Sequence, residues 1–317
     1  TGWDERLPDA TLRRVSETAA LASYLSGAGT LAQCCEEFTR VADVLLRRAM
    51  PSNVPMVVVA LGKYGSRELI PGSDLDVLFI HDDSIRDDTP QRVAADLIAR
   101  MQGTVRQPLY VVDARLRPEG RSAPLSVSLS AWRDYLERRA SLWEKQSLLR
   151  ARVAAGNAAL GAAVESYIDA VHANMEFGDE QRKAIFRIRV SMEPENRFRR
   201  NDFIDIKKSA GGLIDAEFAL QVAQLASGKG RAYRVDDEVD RALAQHLRDT
   251  SACHAWLRVL QLRLRVLLDT PSDLVPRDEE QRRVLARSLG MEHGDALLDE
   301  LRSRMAEMRR GMVEVLG

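Results

Sequence analysis

The sequence predicts an α+β fold, a small mixed sheet flanked by helices, followed by an all-α helical bundle. Three observations predict it. Apolar, β-branched runs at 55–61 and 75–80 read as strands. Helical spacing precedes and separates the strand candidates. From Ser128 onward almost every segment carries helical spacing. A helix between strands, together with a short turn joining two of them, makes an α+β layer.

The elements follow in order. Residues 10–50 read as two helices parted near Ser26-Gly27-Ala28-Gly29. Leu31, Cys35, Phe38, Val41 and Leu45 mark the second, and Pro51 breaks it. Strands are expected at 55–61, 75–80 and 109–113, with a helix over 90–105. Beyond Ser128, Leu129, Trp132, Leu136 and Trp143 share a helical face, and Arg150 and Arg152 are placed on a helix with Trp143. Helical segments follow at 158–174, 179–192, 211–227, 236–269 and 278–315, punctuated by Pro194, Pro271 and Pro276. The domains are placed at 1–156 and 157–317.

With 317 residues the chain is long enough for two domains. A charged fraction of 29% and a net charge of -1 carry no bulk signal for nucleic acid or for a membrane surface. Cys34, Cys35 and Cys253 cannot all pair, and they lack zinc spacing, so a reducing, cytoplasmic setting is expected. The longest wholly apolar run, Met56 to Leu61, is too short to span a bilayer. The Thr-Gly-Trp start suggests a piece of a longer protein. His172, His246 and His254 have no metal-ligand spacing.

The chemistry concentrates between Ala60 and Ile80. Gly65-Ser66 follows the first strand, and after seven intervening residues Asp74-Leu75-Asp76 opens the second. Strand alternation sends both carboxylates to one face and Leu75 to the other. Two carboxylates side by side repel unless cations lie between them. Mg²⁺ takes carboxylate oxygens together with substrate phosphates, and a pair of such ions can polarise both oxygens of an in-line displacement. Gly65 would let backbone approach a triphosphate, and Ser66 would bond its oxygens. Asp113, ending the third strand, is the third carboxylate. Arg115 and Arg117 follow at alternate positions, suited either to phosphate oxygens or to ion pairs with nearby carboxylates. An Asp-x-Asp by itself is ordinary turn chemistry; the ordered set of strand, Gly-Ser, Asp-x-Asp and a later strand Asp points to a nucleotidyltransferase site.

That set resembles the DNA polymerase β-like nucleotidyltransferase superfamily. More specifically, Gly62, Lys63, Gly65, Glu68, Leu69, Ser73, Asp74 and Asp76 are similar to the signature of the glutamine synthetase adenylyltransferase family, G-K-x-G-x-x-E-L leading into S-D-x-D. Further family blocks resemble Asp113–Gly120 with Pro124-Leu125, Trp143–Arg152, and Asp205–Gln221. Tyr64, Ser66 and Met192-Glu193-Pro194-Glu195 depart from the family pattern. The resemblance implies an enzyme in which Asp74 and Asp76 hold Mg²⁺ or Mn²⁺ with ATP. Asp113 would ligate the catalytic metal and help deprotonate a tyrosine of glutamine synthetase, and AMP would pass to that oxygen. Lys63, Gly65, Ser66, Arg115, Arg117 and Lys207 would touch nucleotide. Phosphorolytic removal of AMP at the same site and a regulatory nucleotide- or effector-binding module without turnover stay open, as does a polymerase or tRNA-acting enzyme. Glutamine synthetase and a PII-type regulatory protein are the expected partners; no nucleic acid or membrane partner is expected.

In the helical half, Asp215 falls in the first turn of a helix after Gly211-Gly212, where the dipole favours a carboxylate. Alternatively Lys207, Asp215 and Glu217 face a cleft. Trp143 is expected in the core. The run Arg182, Lys183, Arg187, Arg189 is expected on a solvated helix face, with an acidic partner surface as the other use.

Overall fold

The computed structural model describes residues 7–193, 204–228 and 245–317. The chain divides into two compact units, Thr1–Asn174 and Met175–Gly317.

The first unit opens with α1 (Asp9–Leu25) and α2 (Leu31–Ala49). A capping box starts α2: the Thr30 side chain accepts from the Gln33 amide, and Gln33 accepts from the Thr30 amide at 2.8 Å. Such caps contribute about 1 kcal/mol. The buried face of α2, with Cys34, Phe38, Val41 and Leu45, covers one side of a sheet. The chain then enters β1 (Met56–Ala60), makes the single turn α3 (Gly62–Gly65), and returns through β2 (Leu75–His81). α4 (Thr89–Gln102) crosses over to a two-residue ribbon, β3 (Gly103–Thr104) and β4 (Gln107–Pro108). There follow β5 (Val112–Asp113), β6 (Ser126–Ser128), α5 (Leu129–Arg138), α6 (Leu142–Ser147), β7 (Arg152–Gly156) and α7 (Ala158–Ala173).

The main sheet runs β5-β2-β1-β7, with β6 also paired to β2. β1 is antiparallel to β2 and to β7, whereas β5 and β6 lie parallel to β2. Helices cover both faces. Val58, Ala60, Val77 and Phe79 pack with α2 and α4, while Val57, Val59, Leu78 and Ile80 pack with Trp132, Val164 and Ile168. Burial on both sides explains why β1 reads as an unbroken apolar run rather than an alternation.

Several elements depart from the sequence expectation. The stretch at 152–156 forms β7 rather than helix, because pairing with β1 decides the state of a short Val-Ala-Ala-Gly segment that has no period of its own. Helix α4 ends at Gln102, where Gly103 takes φ 74°, instead of reaching residue 105. Of the expected strand at 109–113, only Val112–Asp113 pairs. Helix α7 belongs to the first unit: Gly161 brings it against Val153, and Leu160, Val164 and Ile168 are buried under the sheet. The division therefore falls after Asn174 and not after Gly156.

The second unit contains α8 (Asp179–Ser191), α9 (Leu213–Ser227), α10 (Gln245–Leu267), α11 (Glu279–Ser288) and α12 (Gly294–Leu316). Its core joins Leu213, Leu257, Leu260, Leu285, Leu297, Leu301 and Met308. The segment 278–315 is two helices, parted at Gly290 with φ 76°. Pro194 and the start of the 236–269 segment lie outside the described residues. Arg189 is a correction: it is fully buried, not solvated. It meets the fully buried Asp215 at 2.5 Å and donates to the carbonyls of Lys208 and Ser209, each at 3.0 Å. Asp215 also accepts from the Gly211 amide at 2.7 Å and pairs with Arg309 at 3.2 Å. Asp215 thus closes an internal ion network and does not face a cleft. Of the same basic run, Lys183 and Arg187 are exposed.

Candidate functional site

The Asp-x-Asp segment is positioned from both ends. Before it, a turn with Gly72 at φ 69° is closed by the Ser73 amide donating to the Ile70 carbonyl and the Ile70 amide donating to Ser73 Oγ, both at 3.0 Å. Within it, the Leu75 amide donates to the Val111 carbonyl at 2.8 Å, and the Asp76 carbonyl accepts from Leu61 at 2.9 Å. Leu75 is buried in the core as alternation requires, so Asp76 lies on the other face with Leu78 and Ile80.

The pairing of β2 with β5 sets Asp76 directly beside Asp113. Neighbouring strands lie about 4.8 Å apart, so Asp76 and Asp113, far apart in sequence, come to the same end of the sheet, with Asp74 two residues before Asp76. Asp74 is exposed, Asp76 is half-buried, and the Asp113 side chain is 12% exposed. Arg115 sits on Asp113: its Nε donates to Oδ1 at 2.8 Å and Oδ2 at 2.6 Å, and its amide donates to Oδ1 at 2.9 Å. The hydrogen bonds and charge of Asp113, with the more distant charges of Asp76 and Asp74, hold the Arg115 guanidinium above its ordinary pKa. Arg117 turns away to brace the following loop, donating to the carbonyls of Ala114 at 2.6 Å and Ala123 at 3.0 Å.

The glycine turn divides its labour differently from the sequence expectation. Gly62, at φ 51°, abuts the site: a Cβ there would lie 2.5 Å from Asp76 Oδ2. At Gly65 a Cβ would lie 2.0 Å from the Arg150 carbonyl oxygen, so that glycine permits packing of the turn onto the chain behind it. Ser66 is fully buried. Its Oγ donates to Glu68 at 2.6 Å, and its amide donates to the Gly62 carbonyl at 3.0 Å. Lys63 is half-buried on α3, next to Gly62. Lys207 belongs to the second unit, where its amide donates to Asp205 at 2.8 Å. Trp143, expected in the core, is 42% exposed on α6. Among the described residues no group of three or more His, Cys, Asp or Glu side chains converges on a single point where a metal ion would sit. The Asp113 carboxylate, in particular, is turned to Arg115.

Gly62, Asp43, Arg150 and Arg152 carry local roles that the sequence reading did not assign. The block Trp143–Arg152 held the signal for the two arginines, since charged residues flanking a buried apolar stretch need partners.

Fold and site together define a class: an α/β unit that gathers three aspartates and an arginine at one end of a mixed sheet, joined in one chain to a helical unit. The family model for glutamate-ammonia ligase adenylyltransferase matches residues 9–167. That for GlnD PII-uridylyltransferase matches residues 186–316, within the helical unit. The chain belongs to the glutamate-ammonia ligase adenylyltransferase family. It is similar to proteins named bifunctional glutamine synthetase adenylyltransferase/adenylyl-removing enzyme. That of Cutibacterium acnes is 33% identical over 76% of this chain and 26% of its own length. That of Chromobacterium violaceum is 34% identical over 66% and 25%, and that of Streptomyces coelicolor 32% over 87% and 29%. The chain thus spans about a quarter of the length of these relatives. Among the described residues no helix is long and apolar enough to cross a membrane.

Proposed function

We propose that this chain carries a polymerase β-like nucleotidyltransferase centre that moves AMP from ATP to a tyrosine hydroxyl of glutamine synthetase in the cytoplasm. The observation that carries the reading is the register of Asp76 beside Asp113, which completes a three-carboxylate set begun by Asp74. Three carboxylates are the donor type that Mg²⁺ or Mn²⁺ favours, with Asp113 turning from Arg115 to the ion, and Gly62 keeps side-chain atoms out of the space beside Asp76 Oδ2. Asp74, Asp76 and Asp113 would hold the metal, whose contribution when bound is to neutralise phosphate charge and lower the pKa of a coordinated hydroxyl.

The chain's own residues then have defined tasks. A tyrosine hydroxyl has a pKa of about 10, so a base is needed at neutral pH, and an Asp113 carboxylate oxygen takes that proton. The phenolate oxygen forms a bond to the α-phosphorus as the bond to the pyrophosphate oxygen breaks. Arg115 and Lys63 supply positive charge to the phosphate oxygens, and catalysis is mainly positioning and charge neutralisation. The relatives' printed names also include adenylyl removal. In that second reading the same residues serve: a phosphate oxygen bonds to the AMP phosphorus as the bond to the tyrosine oxygen breaks, giving ADP and a tyrosine that takes up a proton. The likeness of the helical unit to a PII-uridylyltransferase model supports a PII-type protein as regulatory partner.

The test is transfer of label from α-³²P-ATP with Mg²⁺ to purified glutamine synthetase, beside a D74N/D76N variant. Label that appears with the wild-type chain, disappears with chelator and is absent from the variant supports the transfer reading. Absence of label, with phosphate-dependent release of ADP from adenylylated synthetase, replaces it with the removing reading.

A further inference from the structure

Arg152 opens β7 with its Cα opposite Ala60, the last residue of β1 before the glycine turn. Its side chain is buried, and its guanidinium reaches three acceptors. Nε donates to the Gly65 carbonyl at 3.2 Å, and one Nη donates to the Tyr64 carbonyl at 3.2 Å and to Asp43 Oδ1 at 2.8 Å. The same group lies 5.1 Å from the centroid of the fully buried Tyr64 ring. Asp43 comes from α2 and is itself buried. One planar cation therefore ties together α2, β7 and α3.

Helix α3 needs such a tie. It has four residues, and a single helical turn is unstable without tertiary support. Its terminal carbonyls lack partners within the helix, and a cation placed on them also suits the dipole. The opposite end of α3 is Gly62, whose backbone stands so close to Asp76 that a Cβ would lie 2.5 Å from Oδ2. A small rotation of the turn would therefore change the space beside Asp76 and the position of Lys63.

We propose that Arg152, with Asp43 behind it, is a positioning residue of the nucleotide site, setting α3 against Asp76 without touching the reacting atoms. The proposal rests on the transfer reading above. Lysine cannot substitute, because a single ammonium does not reproduce a planar fork that serves three acceptors from three directions.

The experiment compares R152K, R152M and D43N/R152M with the wild-type full chain. It reads amide hydrogen exchange over residues 61–69, kcat and KM for ATP in label transfer, and the thermal unfolding midpoint. R152K is expected to stay folded, to exchange about tenfold faster over 61–69 with β1 unchanged, and to raise KM for ATP about tenfold with a smaller change in kcat. R152M leaves Asp43 buried without its partner and loses stability. D43N/R152M recovers the midpoint, because no uncompensated charge remains, yet keeps the fast exchange and the raised KM. Wild-type exchange and KM in R152K or in the double variant would overturn the proposal, as would losses that merely follow the unfolding midpoint. If the wild-type chain moves no label, the transfer reading falls, and the exchange comparison alone decides whether Arg152 holds the turn.

Discussion

Two arginine–aspartate pairs, one in each unit, use the same chemistry in opposite surroundings. Arg115 and Asp113 pair at the end of the sheet, with the guanidinium 58% exposed. Arg189 and Asp215 pair inside the helical unit, both at 0% exposure. Water reaches the Arg115 side of that exposed pair and screens it, so the pair contributes little to stability. A buried pair is different: each member depends on the other, and removing one costs about 3–5 kcal/mol. The exposed arrangement leaves the guanidinium more than half open to solvent. The buried one anchors α8, α9 and the loop at Lys208-Ser209.

The largest effect is expected at the buried pair. Arg189→Met is expected to lower unfolding free energy by about 3–5 kcal/mol in denaturant titration, because Asp215 is left charged and enclosed. Adding Asp215→Leu to it should return much of that loss; a double variant no more stable than the single one would show that the Gly211 and Arg309 contacts of Asp215 dominate instead. Next in size is Gly62→Ala. A side chain at φ 51° costs about 1–2 kcal/mol, and its Cβ would displace Asp76, so label transfer should fall further than stability does. Arg115→Met should change stability little while raising KM for ATP; an unchanged KM would remove Arg115 from the nucleotide site.

The smallest expected effect concerns pH. Burial lowers the pKa of His81 from 6.5, against the opposing pull of Asp83 and Asp82. Its Nδ1 lies 2.8 Å from Ser126 Oγ. The unfolded chain then takes up the proton first. This contribution to stability is present above pH 6.5 and is lost as pH falls through the lower, folded pKa. Titrating unfolding free energy across that window should give a slope that His81→Gln reduces.

How much of this was legible before folding differs by element. Met56–Ala60 and Leu75–His81 were readable because each is apolar and rich in β-branched residues. Asp74, Asp76 and Asp113 stood out through order and context. β7 was not readable: Arg-Val-Ala-Ala-Gly carries no period, and it is a strand because β1 offers it an edge. Arg189 read as one more charge on a solvated helix, since a local pattern cannot reveal that Asp215, from another helix, lies 2.5 Å away. Trp143 erred in the opposite sense, an aromatic residue that packing left exposed. Gly65 and Ser66 were correctly located after the first strand, yet the neighbours that explain them, the Arg150 carbonyl and Glu68, came only with the fold.

Local sequence pattern carried the α+β beginning, the helical remainder, the order of the three aspartates along the chain and the family. Hydrophobic periodicity and motif order are local properties, and they survive in one dimension. Tertiary structure alone decided that Asp76 and Asp113 lie side by side, that Gly62 rather than Gly65 abuts the carboxylates, that Arg152 grips the turn and that Arg189 is buried. Each of these depends on strands and helices distant in the chain being brought within hydrogen-bond reach. Register and packing across the folded chain set those distances; local sequence pattern does not.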